Sequence, residues 1–304
     1  MNVTLTEVRD TDLREALSGQ PARGPRRGSR RKLRIATVVA YLVTFVILLP
    51  LLWILLLSFR PSNEILVHPF SAAHLTTSNY RTVVDTLDLM RMYTNTFILA
   101  TVSVVIGLVI SFTASFALTR MVFHRRRRRL QRVLRYYFLA GLAVPVYILL
   151  FPVYRLDITF HLFGTYWALI LPYIATTIPF NVLLLTGFLA DFPDEIEQAA
   201  VVDGVGLFTL CTKIVFPLMR PVVATLLILN IIYVWNEFPF AVTLINKPSL
   251  TTVSLGASQF QGQWATDYGA EMAAAVLVLL PQLIAFGLFQ RQVIAGMTMG
   301  AVKG

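Results

Sequence analysis

Long apolar segments alternate with polar ones along the 304 residues of the chain. A helix that rises ~1.5 Å per residue needs about 20 residues to cross the ~30 Å hydrocarbon layer of a bilayer. The segments that fit this length predict six membrane-spanning helices: Ile35–Ser58, Thr96–Thr119, Tyr136–Tyr154, Thr165–Leu189, Val222–Ile245 and Met272–Phe289. Pro145 and Pro281 lie inside two of them, where neighbouring helices are able to satisfy the carbonyls that a proline frees. The pattern therefore predicts an all-α polytopic membrane protein.

The composition also favours a membrane protein. Hydrophobic residues make up 56% of the chain and charged residues 14%, whereas soluble domains average about 25% charged residues. The single cysteine, Cys211, excludes an internal disulfide and a cysteine-rich metal site. We expect its thiol to be a small buried side chain.

Lysine and arginine are distributed unevenly between alternate polar segments. Of the 26 such residues, 21 lie in segments 1–34, 120–135, 191–221 and 290–304. The others lie in segments 59–95, 155–164 and 246–271. Cytoplasmic loops carry the excess of positive charge in membrane proteins. We therefore predict that both termini and the 191–221 segment are cytoplasmic, and that the second set of segments forms outer loops.

The formal net charge of +10 raises the question of nucleic-acid binding. The densest basic run, Arg125–Arg129, contains no interleaved aromatic residues, so we predict no nucleic-acid partner. We interpret the run as a flank that stops translocation and meets anionic membrane lipid. The polar segment 1–34 is rich in Arg, Gly and Pro and is predicted to be disordered. The apolar segment after it is too long for a cleaved signal peptide and is predicted to remain as the first span.

The polar segment 191–221, between the fourth and fifth spans, has the features of two short helices. Asp191 and Pro193 favour a helix start, because an acidic cap accepts from free backbone N–H groups and proline is tolerated in the first turn. Glu195 and Glu197 follow near the positive end of the helix dipole.

The same segment also contains a turn and a second start. Asp203 and Gly204 predict the end of the first helix, since glycine adopts the left-handed conformation without a Cβ clash. Leu207–Phe216 predicts a second, apolar helix that ends at Pro217. A structured polar segment of this kind in a membrane protein favours contact with a partner.

The chain lacks the motifs of several enzyme classes. No G-x-x-x-x-G-K-[ST] sequence is present, so the chain does not bind ATP through a P-loop. No zinc-protease, serine-hydrolase or dinucleotide-binding motif is present either. The histidines lie outside the predicted spans without ligand spacing, at His68, His74, His124 and His161. We predict no enzymatic activity, no metal site and no cofactor bound by this chain.

Glu237 is the only carboxylate inside a predicted span. A charge there costs roughly 2.5–3.5 kcal/mol on insertion scales and usually faces a bundle interior or a water-filled cavity. Asn230 lies two helical turns earlier, on the same face, and Asn236 is adjacent to the acid. These side chains either line the path of a hydroxyl-rich solute or hold helices together. One acid is too few for proton-coupled transport, which usually needs several ionisable groups in the membrane.

The 191–221 segment resembles the cytoplasmic loop of permease subunits of bacterial ABC importers. The motif of that family is Glu-Ala-Ala, three residues, Gly, nine residues and Ile-x-Leu-Pro. The same spacing occurs here, with Gln for Glu and Phe for Leu, at Gln198, Ala199, Ala200, Gly204, Ile214, Phe216 and Pro217. Glu197 precedes the substituted position and lies about 100° away around a helix.

Three other segments resemble carbohydrate-type members of this family. Residues 235–238 match a W-N-[ED]-F element of the fifth span. The C-terminus carries F-Q-R at 289–291 and ends in G-A-V-K-G, which resembles the F-x-Q-R and Gly-rich ending of these permeases. Residues 246–269 resemble the outer segment that meets a solute-binding protein. Aromatic residues recur there every four positions, so one helical face would present Phe260, Trp264 and Tyr268. An interfacial aromatic belt is the alternative.

The resemblance implies a carbohydrate-type permease subunit of the bacterial inner membrane, similar to the second permease of maltose transporters, with six spans and the type I ABC importer permease fold. The implied partners are a homologous second permease, two ATPase subunits that bind ATP and Mg²⁺, and an extracellular or periplasmic solute-binding protein. The residues implied to couple to the ATPase are Glu195, Glu197, Gln198, Ala199, Ala200, Asp203, Gly204, Ile214 and Pro217. The tail residues implied to reach toward it are Gly300, Ala301, Val302 and Lys303.

The predicted organisation is a tail at 1–34, a first span at 35–58, an outer loop at 59–95, a permease core at 96–290 and a tail at 291–304. Two other classes of function stay open: a self-contained carrier or channel, and a membrane scaffold without transport. The sequence does not specify the solute, and mono-, di- and oligosaccharides, polyols and glycerol-phosphate compounds are all candidates.

Overall fold

The computed structural model describes residues 27–71, 74–120, 125–191, 193–262 and 266–299. Within these ranges the secondary structure is helical apart from one isolated antiparallel bridge between Gln261 and Thr266. The helices are α1 (Arg27–Ser58), α2 (Ser62–Ile65), α3 (Ser78–Thr86), α4 (Leu89–Arg120), α5 (Arg125–Ala140), α6 (Val146–Thr159), α7 (Trp167–Ala190), α8 (Asp194–Val202), α9 (Leu207–Trp235), α10 (Pro239–Leu244) and α11 (Tyr268–Met299). The prediction of an all-α fold is confirmed.

Five of these helices are long and apolar enough to cross a membrane, namely α1, α4, α7, α9 and α11. The bent pair of α5 and α6 supplies a sixth span if the two are counted together. Several predicted bounds are too short, because α1, α4 and α11 continue into residues beyond the apolar segments. Helix α1 begins at Arg27, inside the segment predicted to be disordered, and α11 continues past Phe289 to Met299. Residues 1–26 lie outside the described part of the chain.

Small residues on α4 allow it to lie close to α7. Ser103, Gly107, Ser111 and Ser115 recur every four positions, so they form one stripe along α4. A Cβ atom added at Gly107 would lie 3.2 Å from the Thr177 Oγ1 on α7. Small residues at such spacing let helix backbones approach in a membrane. The α4–α7 pair is the centre of the main apolar cluster, to which α9 also contributes.

The third predicted span, Tyr136–Tyr154, is not one straight helix. A 3₁₀ turn at Gly141–Ala143 separates α5 from α6, and the two helices are bent by 103°. Val144 is extended, with ψ at 111°, because a proline disfavours the helical conformation of the residue before it. Pro145 then caps the start of α6.

Helix α9 starts earlier and ends earlier than the sequence predicts. The second helix of the 191–221 segment does not stop at Pro217 but continues to Trp235. A π-helical stretch at Leu210–Val215 precedes the proline. A π turn widens the backbone locally, which gives the proline ring room in a position where an α-helix would break. The predicted fifth span to Ile245 is wrong at its end, since α9 stops before α10 begins.

The predicted outer loop 59–95 contains α2, α3 and the first turns of α4. Asn79 on α3 donates its Nδ2 to the carbonyl oxygens of Ser58 and Arg60, at 2.8 Å each. Arg60 is fully buried, and Gly269 near the start of α11 lies so close that an added Cβ would stand 2.7 Å from the Asn79 Nδ2. These contacts fix the segment against the beginning of α11.

Candidate functional site

The 191–221 segment folds as a helix, a turn and a second helix. Helix α8 begins directly after Pro193, which is its N-cap. The predicted cap, Asp191, lies instead at the C-cap of α7, because α7 continues to Ala190.

Gly204 has a φ of +75°, which favours glycine, and its N–H donates to the Val201 carbonyl at 3.0 Å. The Val205 N–H donates to the Ala200 carbonyl, also at 3.0 Å. The predicted turn is therefore confirmed, and it reverses the chain between α8 and α9.

An ion pair ties α8 to the end of α4. The Arg120 Nε lies 3.2 Å from the Glu197 Oε1, and the two side chains are 6% and 13% exposed. The Arg120 guanidinium also donates to the carbonyl of Leu189, near the end of α7. No local sequence pattern points to this role of Arg120, because its partner Glu197 lies far along the chain. Glu197, which was expected to face a partner protein, instead faces the bundle.

Residues on different sides of helix α8 differ in their exposure to solvent. Ala200 is 7% exposed and packs in the main apolar cluster, so it is not part of the free surface. Gln198 and Ala199 are exposed. Two large apolar side chains are even more exposed, Val202 at 87% and Phe208 at 82%. We call these exposed residues the α8 surface: Gln198, Ala199 and Val202 on α8, together with Phe208 at the start of α9.

The remaining residues of the predicted coupling set divide in the same way. Glu195 and Asp203 are exposed, whereas Ile214 is half-buried against the main cluster and Pro217 is half-buried in α9. Cys211 is buried, as predicted. One side of α9 between Leu210 and Pro217 therefore packs against the main apolar cluster.

Glu237 does not lie inside a helix but between α9 and α10. Its Oε1 accepts from the Phe240 N–H at 2.8 Å, and its Oε2 accepts from the Ala241 N–H at 3.1 Å. The Tyr173 hydroxyl donates to Oε2 at 2.7 Å, and the residue is 5% exposed. Glu237 thus caps the start of α10, with its oxygens satisfied by the protein. Its predicted place on one helical face with Asn230 is wrong, because α9 ends before it.

The two asparagines predicted for the solute path have separate surroundings. Asn230 is buried and donates its Nδ2 to the Asn181 Oδ1 on α7 at 2.8 Å. Asn236 is exposed and exchanges two hydrogen bonds with Gln282 of α11, at 3.0 and 2.9 Å. Only Asn230 lines the cavity of about 440 Å³ that opens beside the bend between α5 and α6.

The aromatic residues predicted for binding-protein contact are not on one helix. Phe260 ends a 3₁₀ turn, Ala257–Phe260, and is buried against α3 and α11. Tyr268 begins α11 and is half-buried. The isolated bridge lies between them, so the expectation of a shared helical face is wrong. Trp264 lies outside the described residues, as do Gly300, Ala301, Val302 and Lys303, and their roles stay predictions.

Across the described ranges, no group of three His, Cys, Asp or Glu side chains has a geometry that would hold a metal ion.

Comparison with known proteins identifies related chains. Residues 121–298 match the family described as binding-protein-dependent transport system inner membrane component. An ABC transporter permease protein of Caldicellulosiruptor sp. strain Rt8B.4 is 37% identical over 257 residues, covering 84% of this chain and 91% of that protein. A diacetylchitobiose uptake system permease protein of Streptomyces coelicolor is 28% identical over 259 residues, covering 84% of each.

Solved structures include a similar fold. A chain of a bacterial ABC transporter involved in the import of the acidic polysaccharide alginate superposes with a TM-score of 0.71 at 17% sequence identity. The match covers 90% of this chain and 99% of that chain.

Proposed function

Because the chain belongs to the binding-protein-dependent transport system inner membrane component family, and is thereby a multi-pass permease subunit of a sugar-type ABC importer, we propose that it takes up the work of ATP hydrolysis through the 191–221 segment. It has no ATPase activity of its own, since that activity belongs to a separate subunit in this family. We further propose that this chain forms half of the translocation path.

The observation that carries the coupling proposal is the rigid attachment of α8. The Arg120–Glu197 pair joins α8 to α4, and the Gly204 turn joins it to α9. The α8 surface leaves Val202 and Phe208 exposed on the same segment. Exposed apolar side chains beside polar ones are typical of a protein contact site. A partner that pushes on this surface would displace α4 and α9 together.

The partners follow from this arrangement. We propose two ATPase subunits, which bind ATP and Mg²⁺, at the α8 surface, and a second homologous permease beside the long apolar helices. The excess of Lys and Arg supports a cytoplasmic position for both termini and for α8. We place a solute-binding protein at the opposite side of the membrane. A solved alginate ABC transporter has such a periplasmic protein in complex with it.

A matched pair of glycine variants tests the coupling proposal. Gly204→Asp places a side chain at a φ of +75°, where a Cβ atom costs about 1–2 kcal/mol. Gly206→Asp adds the same charge two residues later, where φ is −69° and an added Cβ has open space. We expect Gly204→Asp to insert normally but to lose solute-stimulated ATP hydrolysis in the assembled transporter in proteoliposomes. Gly206→Asp should retain it. Normal coupled transport by Gly204→Asp would refute the proposal.

A further inference from the structure

A narrow apolar cleft separates the last turns of α4 from α5. Its volume is about 250 Å³, which is below the roughly 300–1,000 Å³ of pockets that enclose a whole small molecule. The apolar side chains that line the cleft come from both helices: Ala114, Ala117 and Leu118 from α4, and Leu130, Leu134 and Phe138 from α5. The cleft therefore suits one part of a larger molecule, and that part is apolar.

Gln131 holds the two helices in this arrangement. Its Nε2 donates to the Leu118 carbonyl, one of the last four carbonyls of α4, which have no partner inside the helix. The small side chains of Ala114 and Ala117 leave the space between the helices unfilled. On the α5 side, Leu130 and Leu134 are 57% and 39% exposed, so the cleft opens to the surroundings of the protein.

Three arginines form a stripe along another side of α5. Arg129, Arg132 and Arg135 recur every three positions, and all three are exposed. Within the described ranges no carboxylate forms an ion pair with them. A guanidinium presents parallel N–H donors that match the oxygens of a phosphate, so unpaired arginines at this spacing favour a phosphate group.

The arginine stripe borders the cleft. Successive residues lie 100° apart around a helix, so Arg129 lies 100° to one side of Leu130 and Arg135 lies 100° to the other side of Leu134. The long arginine stem can lie along apolar surface while its charged end reaches a polar group. A molecule with an apolar chain at one end and an anion at the other would contact both features at once.

Two tyrosines indicate that α5 lies at the depth of lipid headgroups. Tyr136 and Tyr137 follow the arginines directly and are 65% and 71% exposed, and tyrosine is enriched at the interface of membrane and water. A basic face combined with Leu and Phe on another face is typical of helices that lie in this interface. The 103° bend between α5 and α6 allows α5 to lie along the membrane surface while α6 enters the bilayer.

We propose that α4 and α5 form a binding site for one anionic phospholipid, whose acyl chain enters the cleft and whose phosphate binds the arginine stripe. Basic pockets between membrane helices on the cytoplasmic side bind anionic headgroups, and the distribution of Lys and Arg predicts that this end of α4 is cytoplasmic. A zwitterionic lipid would fill the cleft without a net charge for the arginines. A soluble phosphate compound would meet the arginines and leave the cleft empty. Lipid binding here is independent of the proposed coupling at the α8 surface.

Native mass spectrometry of the full-length chain in detergent tests the site, because it counts each bound lipid. The chain is titrated with dioleoylphosphatidylglycerol, which is anionic, and with dioleoylphosphatidylcholine, which has the same chains and no net charge. Glycerophosphoglycerol supplies the anionic headgroup without acyl chains. We expect the phosphatidylglycerol to bind with an apparent Kd at least tenfold below that of the phosphatidylcholine, and the free headgroup not to bind at the same concentrations.

Matched variants assign the signal to the site. Arg132→Gln and Arg135→Gln should each weaken phosphatidylglycerol binding about fivefold, which corresponds to ~1 kcal/mol, and leave phosphatidylcholine binding unchanged. Arg155→Gln is their control, because Arg155 is exposed on α6 away from the cleft. Ala117→Phe fills the cleft and should weaken both lipids, whereas Ala40→Phe adds the same ring to an exposed position of α1 and should weaken neither. The arginine variants remain informative if Ala117→Phe does not fold.

The outcomes separate the parts of the proposal. Equal affinity for the two lipids, or unchanged phosphatidylglycerol binding in both arginine variants, would overturn the phosphate site. Tight binding of the free headgroup, or unchanged lipid binding by folded Ala117→Phe, would overturn the acyl-chain site. Absence of the lipid from the complete transporter, at concentrations that saturate the single chain, would assign the cleft to a partner protein instead. A failure of the proposed coupling would appear in the proteoliposome assay with the Gly204 variants and would leave lipid binding unchanged.

Discussion

The Arg120–Glu197 pair is the contact whose loss should most clearly uncouple the α8 surface from the spans. Both side chains are nearly buried, and Arg120 reaches α8 and the end of α7 at once. Removing one partner of a buried pair leaves the other charge with incomplete compensation, which costs roughly 3–5 kcal/mol when both are fully buried. At 6% and 13% exposure the loss should be smaller, and the pairwise interaction should fall within about 0.5–3 kcal/mol.

A double-mutant cycle isolates this interaction. The variants are Arg120→Gln, Glu197→Gln and the double variant, assembled with the partner subunits in proteoliposomes. The measured quantity is solute transported per ATP hydrolysed. If the pair transmits motion, each single variant should lower this ratio about tenfold, which corresponds to ~1.4 kcal/mol, and the double variant should lower it little further.

A surface pair of similar chemistry is the control. Arg81 and Asp85 lie 3.7 Å apart on α3 but are 87% and 68% exposed. Exposed pairs contribute about 0–1 kcal/mol, so Arg81→Gln should leave the ratio unchanged. Additive effects of Arg120→Gln and Glu197→Gln, or an unchanged ratio in both, would refute the idea that this contact carries the coupling.

Two other variants test the structural assignments. Glu237→Gln should lower the thermal unfolding temperature of the purified chain. The reason is that the amide replaces one acceptor oxygen by a donor at the start of α10, at a cost of about 1–3 kcal/mol. An unchanged unfolding temperature together with a raised KM for solute would instead place Glu237 on the solute path. Gly107→Val should lower the yield of folded chain in size-exclusion chromatography, since its side chain meets α7, whereas Gly187→Val enters open space and should not. Equal yields for the two glycine variants would contradict the close packing of α4 on α7.

The sequence predicts the presence of the spans, though not their bounds, because hydropathy over about 20 residues is a strong signal. It predicts the turn at Gly204 for a similar reason, since one residue type suits the required φ. It does not predict which proline breaks a helix. Pro281 lies inside α11 and Pro217 inside α9, yet the chain bends at Pro145. The difference depends on packing, since Gly141 is pressed against α7 at the bend.

The surroundings of Asn230 and Glu237 were only partly predictable, again because they depend on how the helices pack. Periodicity placed Asn230 correctly in the interior but assumed a straight helix through Glu237. Because α9 ends at Trp235, the Glu237 carboxylate caps the start of α10 instead, and no local sequence pattern predicts this helix end. Arg120 is not predicted as a coupling residue, because its partner Glu197 lies far along the chain. Tertiary contacts of this kind are visible only once the helices are packed.

The continuity of α9 has a mechanical consequence. This helix runs without interruption from Leu207, next to the Gly204 turn, to Trp235, so one rod about 40 Å long joins the α8 surface to the wall of the cavity. A tilt of about 5° at one end would move the other by roughly 3 Å, a distance comparable to a hydrogen bond. Tyr233 and Phe208 therefore lie on one helix, and a movement imposed at Phe208 should change the shape of the cavity at Tyr233.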